Sequence, residues 1–383
     1  MARGPDGTGG GAGFSLSDQL FNARTIGQLA REYAVLPGFD PARFEAEALQ
    51  GLAGRGLLER LDWLATCIEA QLPQDFPAMA EALEAAMPPK LDPSLQDNDF
   101  GQFIHAVPGI LAVRHGIEDH RDRALDLIHR ATQRFSMEYY IRPFLNRWPD
   151  ETLERLAVWA EDENYHVRRL VSEGTRPRLP WAANITLPPA RALPLLDALH
   201  ADPTRYVTRS VANHLNDLTR HDLDAVARHL SAWKAAGRQS PRELDWMTRH
   251  ALRGAVKRGA PAALALIGID PELPVDASLH CTPDPVPIGA PLTIKAQITP
   301  ARAGRLLVDY RIRFHRPGGR MGEKVFKLGQ CNVAAGETAT LEKRHNLKAN
   351  ATTFTWHAGP HELILQVNGR DVAEYSFTVS VGG

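Results

Sequence analysis

Across residues 16–267 apolar side chains return every three or four positions, the spacing that puts them along one face of a helix. Leu153, Leu156, Ala157 and Ala160 form one such stripe; Ala192, Leu195, Leu196 and Leu199 form a second; Leu223, Val226, Ala227 and Leu230 form a third. Helix starts are marked at Asp18, Asp40, Pro149-Asp150, Asp202-Pro203 and Ser240-Pro241, each suited as a cap or first-turn residue to the free backbone N–H groups. The intervening helices repeat in register about every 40 residues. His166-Val167-Arg168-Arg169, Tyr206-Val207-Thr208-Arg209 and Trp246-Met247-Thr248-Arg249 each place an apolar residue two positions before an arginine. A period near 40 with two helices per unit predicts HEAT-like repeats, and stacking would bring Arg169, Arg209 and Arg249 into a row.

Beyond Pro271 the pattern changes to short alternating runs at 292–298, 306–314, 338–341, 363–367 and 375–381. Pro283, Pro285, Pro287 and Pro291 mark a linker and a strand start, and Pro317-Gly318-Gly319 and Asn368-Gly369 mark turns. The expected fold is therefore mostly α: a HEAT-like helical repeat solenoid over residues 16–270, followed by an immunoglobulin-like β-sandwich over 271–383. Residues 1–15 are Gly-rich without an apolar core and read as a disordered leader, not a signal peptide.

Composition narrows the function. No apolar run is long enough for a membrane span. Cys67, Cys281 and Cys331 lie far apart, unsuited to a disulfide framework or a zinc site, so a cytoplasmic protein is expected. The net charge of −1 hides an asymmetry: residues 1–164 carry −11, 165–258 carry +8 and 259–383 carry +2. One cationic quarter within a near-neutral chain suits a polyanion-binding surface, though a basic, solvated helix face would look the same.

Nucleotide loops, dinucleotide fingerprints, HExxH and GxSxG are all missing, so neither cofactor nor metal is expected. The most unusual segment is EDENYHVRRLVSEGTRPRLPW at 161–181. It gathers Arg168, Arg169 and Arg176 around Glu173, breaks its helix at Gly174 and ends on Trp181. Arginines there suit phosphate contacts, and a tryptophan after a proline is presented rather than packed into a stripe. A core tryptophan beside an ordinary Arg176–Glu173 ion pair would give the same letters. Glu138, in FSMEYYIRPFL at 135–145, reads as the acid of a helix's first turn.

HVRRLVSEGTRPRLPWA at 166–182, S-x-E…IRPFL at 136–145 and VANHLND at 211–217 together resemble the AlkC branch of the HEAT-like repeat DNA glycosylases. The order of helical body and immunoglobulin-like tail is similar as well. The resemblance implies hydrolytic removal of cationic alkylated bases, 3-methyladenine and also 3-methylcytosine, from double-stranded DNA by a monomer. It implies Glu138 and Asp217 as carboxylates that stabilise an oxocarbenium-like sugar, Trp181 as an aromatic face for it, and Glu173 as a group that orients water or the neighbouring arginines. Asp222 and Asp224 stand close enough to Asp217 to compete for its place. Arg168, Arg169, Arg176, Arg209, Arg249, Lys257 and Arg258 become candidate phosphate contacts. Arg316, Arg320 and Lys324 could grip the duplex from the tail, or form a solvated basic turn. Tyr139-Tyr140 departs from the family pattern and leaves open the preference between adenine and cytosine lesions. A non-catalytic nucleic-acid-binding solenoid and a protein-interaction scaffold are the competing readings; base release from methylated duplex marks the glycosylase, duplex binding without release the second, and no affinity for duplex the third.

Overall fold

In the computed structural model the described residues are 16–95, 100–316, 321–349 and 355–381. The leader expected at 1–15, the turn at 317–319 and Arg320 lie outside them. The chain forms two compact units, residues 1–218 with 236–240 and residues 219–235 with 241–383.

The first unit is helical. It contains α1 (Leu16–Leu20), α2 (Ala23–Tyr33), α3 (Pro41–Gln50), α4 (Leu57–Glu69), α5 (Phe76–Ala85), α6 (Val107–Leu111), α7 (Arg121–Ala131), α8 (Ile141–Arg147), α9 (Pro149–Trp159), α10 (Tyr165–Gly174), α11 (Leu193–Leu199) and α12 (Arg205–Leu218). The starts expected at Asp40 and Pro149 are in place: Asp40 accepts a hydrogen bond from the Arg43 amide at 3.0 Å, and Pro149 opens α9. Asp18 is the acid of α1's first turn, as expected, and Asn22 caps α2. The α9 stripe shifts. Leu156 and Ala160 are buried as expected, but Ala157 is exposed and Leu153 only half-buried, while Thr152 and Trp159 are buried beside them. α10 packs against α9, α11 and α12. Gly174 lets α10 approach α8 closely, since a Cβ there would sit 2.4 Å from Ile141 Cγ2.

The second unit holds α13 (Leu223–Ala236), α14 (Pro241–Lys257), α15 (Pro261–Leu266) and a two-sheet sandwich. Its strands are β1 (Val275–Thr282), β2 (Val286–Pro287), β3 (Pro291–Pro300), β4 (Gly304–His315), β5 (Met321–Val333), β6 (Ala339–Asn346), β7 (Gly359–Val367) and β8 (Arg370–Ser380). One sheet runs β1-β3-β6 and the other β2-β8-β7-β4-β5, antiparallel except for β2 against β8. Leu292, Ile294, Ala296 and Ile298 on β3 share a core with Tyr310, Ile312, Leu363 and Leu365 on the facing sheet. The proline-rich stretch is not the first element of this region, since β1 precedes it.

Asn368-Gly369 turns β7 into β8 with φ of 48° and 82°, as its sequence predicts. The buried Asn368 amide donates to the carbonyls of Asp270 and Arg305 at 2.9 and 3.2 Å, and its oxygen accepts from the Leu307 amide at 2.8 Å. Gly369 rests on Gly259 after α14, where an added Cβ would meet the Gly369 oxygen at 2.6 Å. Among the described residues no helix is long and apolar enough to cross a membrane.

Candidate active site

Five charged side chains of the first unit join in one alternating line: Glu138, Arg169, Glu173, Arg176, Asp217. The backbone explains the meeting. Arg169 and Glu173 stand four residues apart on α10, Arg176 follows its end, Asp217 lies on α12, and Glu138 sits in the turn before α8. Glu138 is therefore not in a helix's first turn, because α8 begins only at Ile141.

Arg169 Nη1 donates to Glu138 Oε2 and, at 2.6 Å, to Ser136 Oγ, whose hydroxyl donates to the same Glu138 oxygen at 2.8 Å. Arg169 Nη2 lies 3.6 Å from Glu173 Oε2, and its guanidinium stacks 5.1 Å from the Tyr206 ring centre. Arg176 donates from Nη1 to Glu173 Oε1 at 2.5 Å and from Nε to Asp217 Oδ2 at 2.9 Å. The Ser210 hydroxyl completes Glu173 at 2.6 Å. Burial by itself would raise the Glu173 carboxyl, but Arg169, Arg176 and the Ser210 hydrogen bond hold it below its ordinary value. Burial likewise opposes charge on Arg169, and Glu138 with Glu173 override it, keeping the guanidinium firmly protonated.

A line that alternates from carboxylate to carboxylate has a negative group at each end. Its centre, Glu173, has a side chain only 7% exposed, whereas those of Glu138 and Asp217 are 17% and 10% exposed. Of the three acids Glu138 is the most exposed, Asp217 is nearly as buried as Glu173, and all three are held by charge-assisted bonds.

Trp181 is 66% exposed and has φ of +64°, a conformation that costs a tryptophan roughly 1–3 kcal/mol. Its loop is pinned by Arg142 of α8, a guanidinium that charge patterning did not single out. Arg142 is 1% exposed and donates to the carbonyls of Gly174 at 3.1 Å, Arg176 at 2.7 Å and Ala183 at 2.6 Å. Burial, then the neighbouring Arg176, lowers its pKa, and Glu138, Asp217 and Glu173 oppose that fall. Asn146, one turn on, donates to the Asn184 carbonyl and accepts from the Thr186 amide, at 2.9 and 2.8 Å.

The basic candidates divide by surroundings. Arg168 grips Asp202 with Nε–Oδ2 at 2.5 Å and Nη2–Oδ1 at 3.2 Å, and donates to the Asp162 and Glu163 carbonyls. Arg169 and Arg176 belong to the carboxylate line. Arg209 is half-buried on α12. In the second unit Arg249 pairs with Asp245 on its own helix at 2.8 Å, Arg258 reaches the Thr219 carbonyl at 3.3 Å, and Lys257 is exposed. Arg316 stacks 5.2 Å from Phe314 and Lys324 5.7 Å from Phe326. Asp222 accepts from the Ala225 amide at 2.7 Å at the start of α13, and Asp224 lies in that helix's first turn; neither joins the line.

A helical unit bearing a line of carboxylates and an exposed tryptophan, in a chain that ends in a two-sheet sandwich, matches known proteins along nearly its whole length. The family described as "Uncharacterised protein YhaZ, C-terminal Ig-like domain" matches residues 275–381. The structure of Pseudomonas fluorescens alkylpurine DNA glycosylase AlkC bound to DNA containing an abasic site analog is 30% identical, with a TM-score of 0.82, over 94% of this chain and 99% of that one. Protein YhaZ of Bacillus subtilis (strain 168) is 29% identical over 371 residues, 94% of this chain and 98% of that protein. The chain belongs to the AlkC family.

Proposed function

We propose that this protein is a DNA repair glycosylase that hydrolyses the N-glycosidic bond of cationic alkylated bases, 3-methyladenine and 3-methylcytosine, in double-stranded DNA. The observation that carries the reading is the alternating line ending in Glu138 and Asp217, in the same unit as an exposed Trp181. Its likeness to the AlkC glycosylase of P. fluorescens supports it.

In this reading the base leaves with the electron pair of the glycosidic bond and becomes neutral. The positive charge passes to the sugar, centred on C1′. Carboxylates already fixed in place stabilise that charge without reorganising, which is where a partly desolvated site outperforms water. Trp181 holds the sugar or base edge by its π face. Water then adds to C1′, and its proton leaves through Glu138 or Asp217. Glu173, Arg169 and Arg176 hold these two acids in position.

The helical pairs act as HEAT-like repeats that track the duplex, with Arg209, Lys257 and Arg258 contacting phosphates from a monomer. Arg168 and Arg249 are candidates for the same contacts once their acidic partners yield to a phosphate. No cofactor is invoked.

The test is single-turnover release of free base from methylated duplex. Glu138→Gln and Asp217→Asn, each nearly isosteric, should lower the rate by about 100- to 1000-fold. Full activity in both folded variants refutes the site. Duplex binding by the wild type with no release of any alkylated base refutes the activity.

A further inference from the structure

Glu138, the most exposed acid of the line, is held by Ser136 and Arg169. A guanidinium on a long side chain is fixed only when its plane is restrained as well as its charge. The ring of Tyr206 supplies that second restraint, 5.1 Å from the Arg169 guanidinium. We infer that Tyr206 and Phe100 are positioning residues, an aromatic pair that seats Arg169 and through it fixes Glu138 for the reaction. The inference rests on the glycosylase reading and extends it from the acids to what holds them still.

Tyr206 is itself well fixed. It is 6% exposed on α12, and the rings of Tyr165 and His166 meet it edge-on at 5.7 and 5.5 Å. Those two residues open α10, which carries Arg169 one turn later on the same side of the helix. The tyrosine ring therefore packs where the guanidinium extends, largely out of water, the condition in which a cation–π contact is strongest.

Phe100 is the member that no sequence pattern pointed to. It is 52% exposed, yet its ring stands 5.6 Å from that of Tyr206. The next residue, Gly101, forms an antiparallel bridge with Phe135, which directly precedes Ser136. Gly101 has φ of +68°, and a Cβ there would stand 1.9 Å from the Arg134 carbonyl oxygen, so glycine is what lets the two segments lie this close. Phe103 meets Phe135 at 5.3 Å and ties the segments a second time.

The contacts close a ring. From Ser136 and Glu138 they run to Arg169, on to Tyr206 and Phe100, and back through Gly101 and Phe135 to Ser136. Each member is restrained from two directions, and Arg169 swings away from Glu138 only by leaving a packed aromatic ring.

The experiment measures single-turnover base release from methylated duplex beside duplex affinity, on the full chain. Tyr206→Leu should lower the rate about 10- to 100-fold with affinity nearly unchanged, as misplacement of a catalytic group does. Tyr206→Phe keeps the ring and should recover most of that loss. Phe100→Leu changes an exposed position that the fold tolerates, and should lower the rate about threefold or more. The decisive comparison repeats Phe100→Leu in an Arg169→Lys background, where the charge remains but the stacking plane is gone. A positioning role predicts little further loss there, because both changes act on one contact; a merely structural role predicts the same loss in both backgrounds. Equal losses, or wild-type rates for Tyr206→Leu and Phe100→Leu, overturn the inference and leave the glycosylase standing. Lost duplex affinity with the rate intact would make Phe100 a duplex contact and overturn it too. No release of any alkylated base by the wild type removes the glycosylase and this role together.

Discussion

Arg142 has almost no water around it and directs its donors at three backbone carbonyls, so its loss leaves buried acceptors that nothing else can reach. Arg142→Met should lower stability by roughly 3–5 kcal/mol, the scale of breaking a buried charged contact. Arg142→Lys keeps the charge but cannot span the same three oxygens in one plane. If Arg142 acts by positioning the Trp181 loop, the lysine variant should show a lower rate of base release with duplex affinity nearly unchanged, and freer quenching of tryptophan emission by acrylamide. A variant that loses affinity and rate equally would make the arginine a general structural support. Glu138, Glu173, Trp181 and Asp217 could all be named from the sequence. What it could not convey was the pairing. Arg169 and Arg176 could be grouped with Glu173 nearby in the chain, but their further partners, Glu138 and Asp217, lie 31 and 41 residues away and left no local signal. Arg142 escaped notice for the same reason: its acceptors are carbonyls, and every residue has one.

At the scale of elements, α12 is fastened to α10 by polar contacts beneath the site. His214 is fully buried and donates from Nδ1 to the Ser172 carbonyl at 3.0 Å. Burial pushes its pKa down to about 3, with Arg176 and Arg142 adding to that fall and the Ser172 hydrogen bond and Glu173 opposing it. The unfolded chain takes up this proton near the ordinary value of 6.5, whereas the folded chain does not. Stability is therefore fully present above that value and declines as pH falls toward 3, by at most about 1.4 kcal/mol per pH unit for one proton. Glu173 adds its own loss only at lower pH, and His200, His345 and His361, whose pKa values burial also lowers, share the window between pH 6.5 and 4.5, so the part due to His214 is the difference between wild type and a His214 variant. His214→Gln should flatten the slope in that window, and an unchanged slope would sink the assignment.

The elements themselves were uneven in legibility. α14 and the Asn368-Gly369 turn declared themselves by a first-turn proline and by residues at ease with positive φ. β1 and β5 did not, because each is an edge strand bonded on one side only. β5, with Glu323, Lys324 and Lys327, has no need of a strongly apolar pattern, and such charges keep an edge from pairing with other chains.

For the whole molecule, the charge asymmetry sets the expected mode of DNA binding. Residues 165–258 carry +8 against −11 for 1–164, so affinity for duplex should fall steeply as salt rises. Arg209→Gln and Lys257→Gln should each reduce the slope of log affinity against log salt by about 1, read by fluorescence anisotropy on an undamaged duplex. Slopes identical to wild type would take these two residues out of the interface. Arg168→Gln is different in kind: it strands the buried Asp202, and its first effect should be on thermal stability. The period of 40 was a sound guide to what is buried, since Val167, Val207 and Met247 are all 0% exposed. The division into compact units was beyond its reach, for periodicity records which face a helix hides and not which neighbours hide it. Within the second unit, Gly259 and Gly369 meet backbone to backbone, each with positive φ. Neither can gain a side chain without striking atoms that every residue possesses, so no change at one can compensate a change at the other. As lineages diverge, these two positions should stay fixed together rather than drift as a correlated pair, and a comparison of relatives that searched only for covariation would pass over the contact.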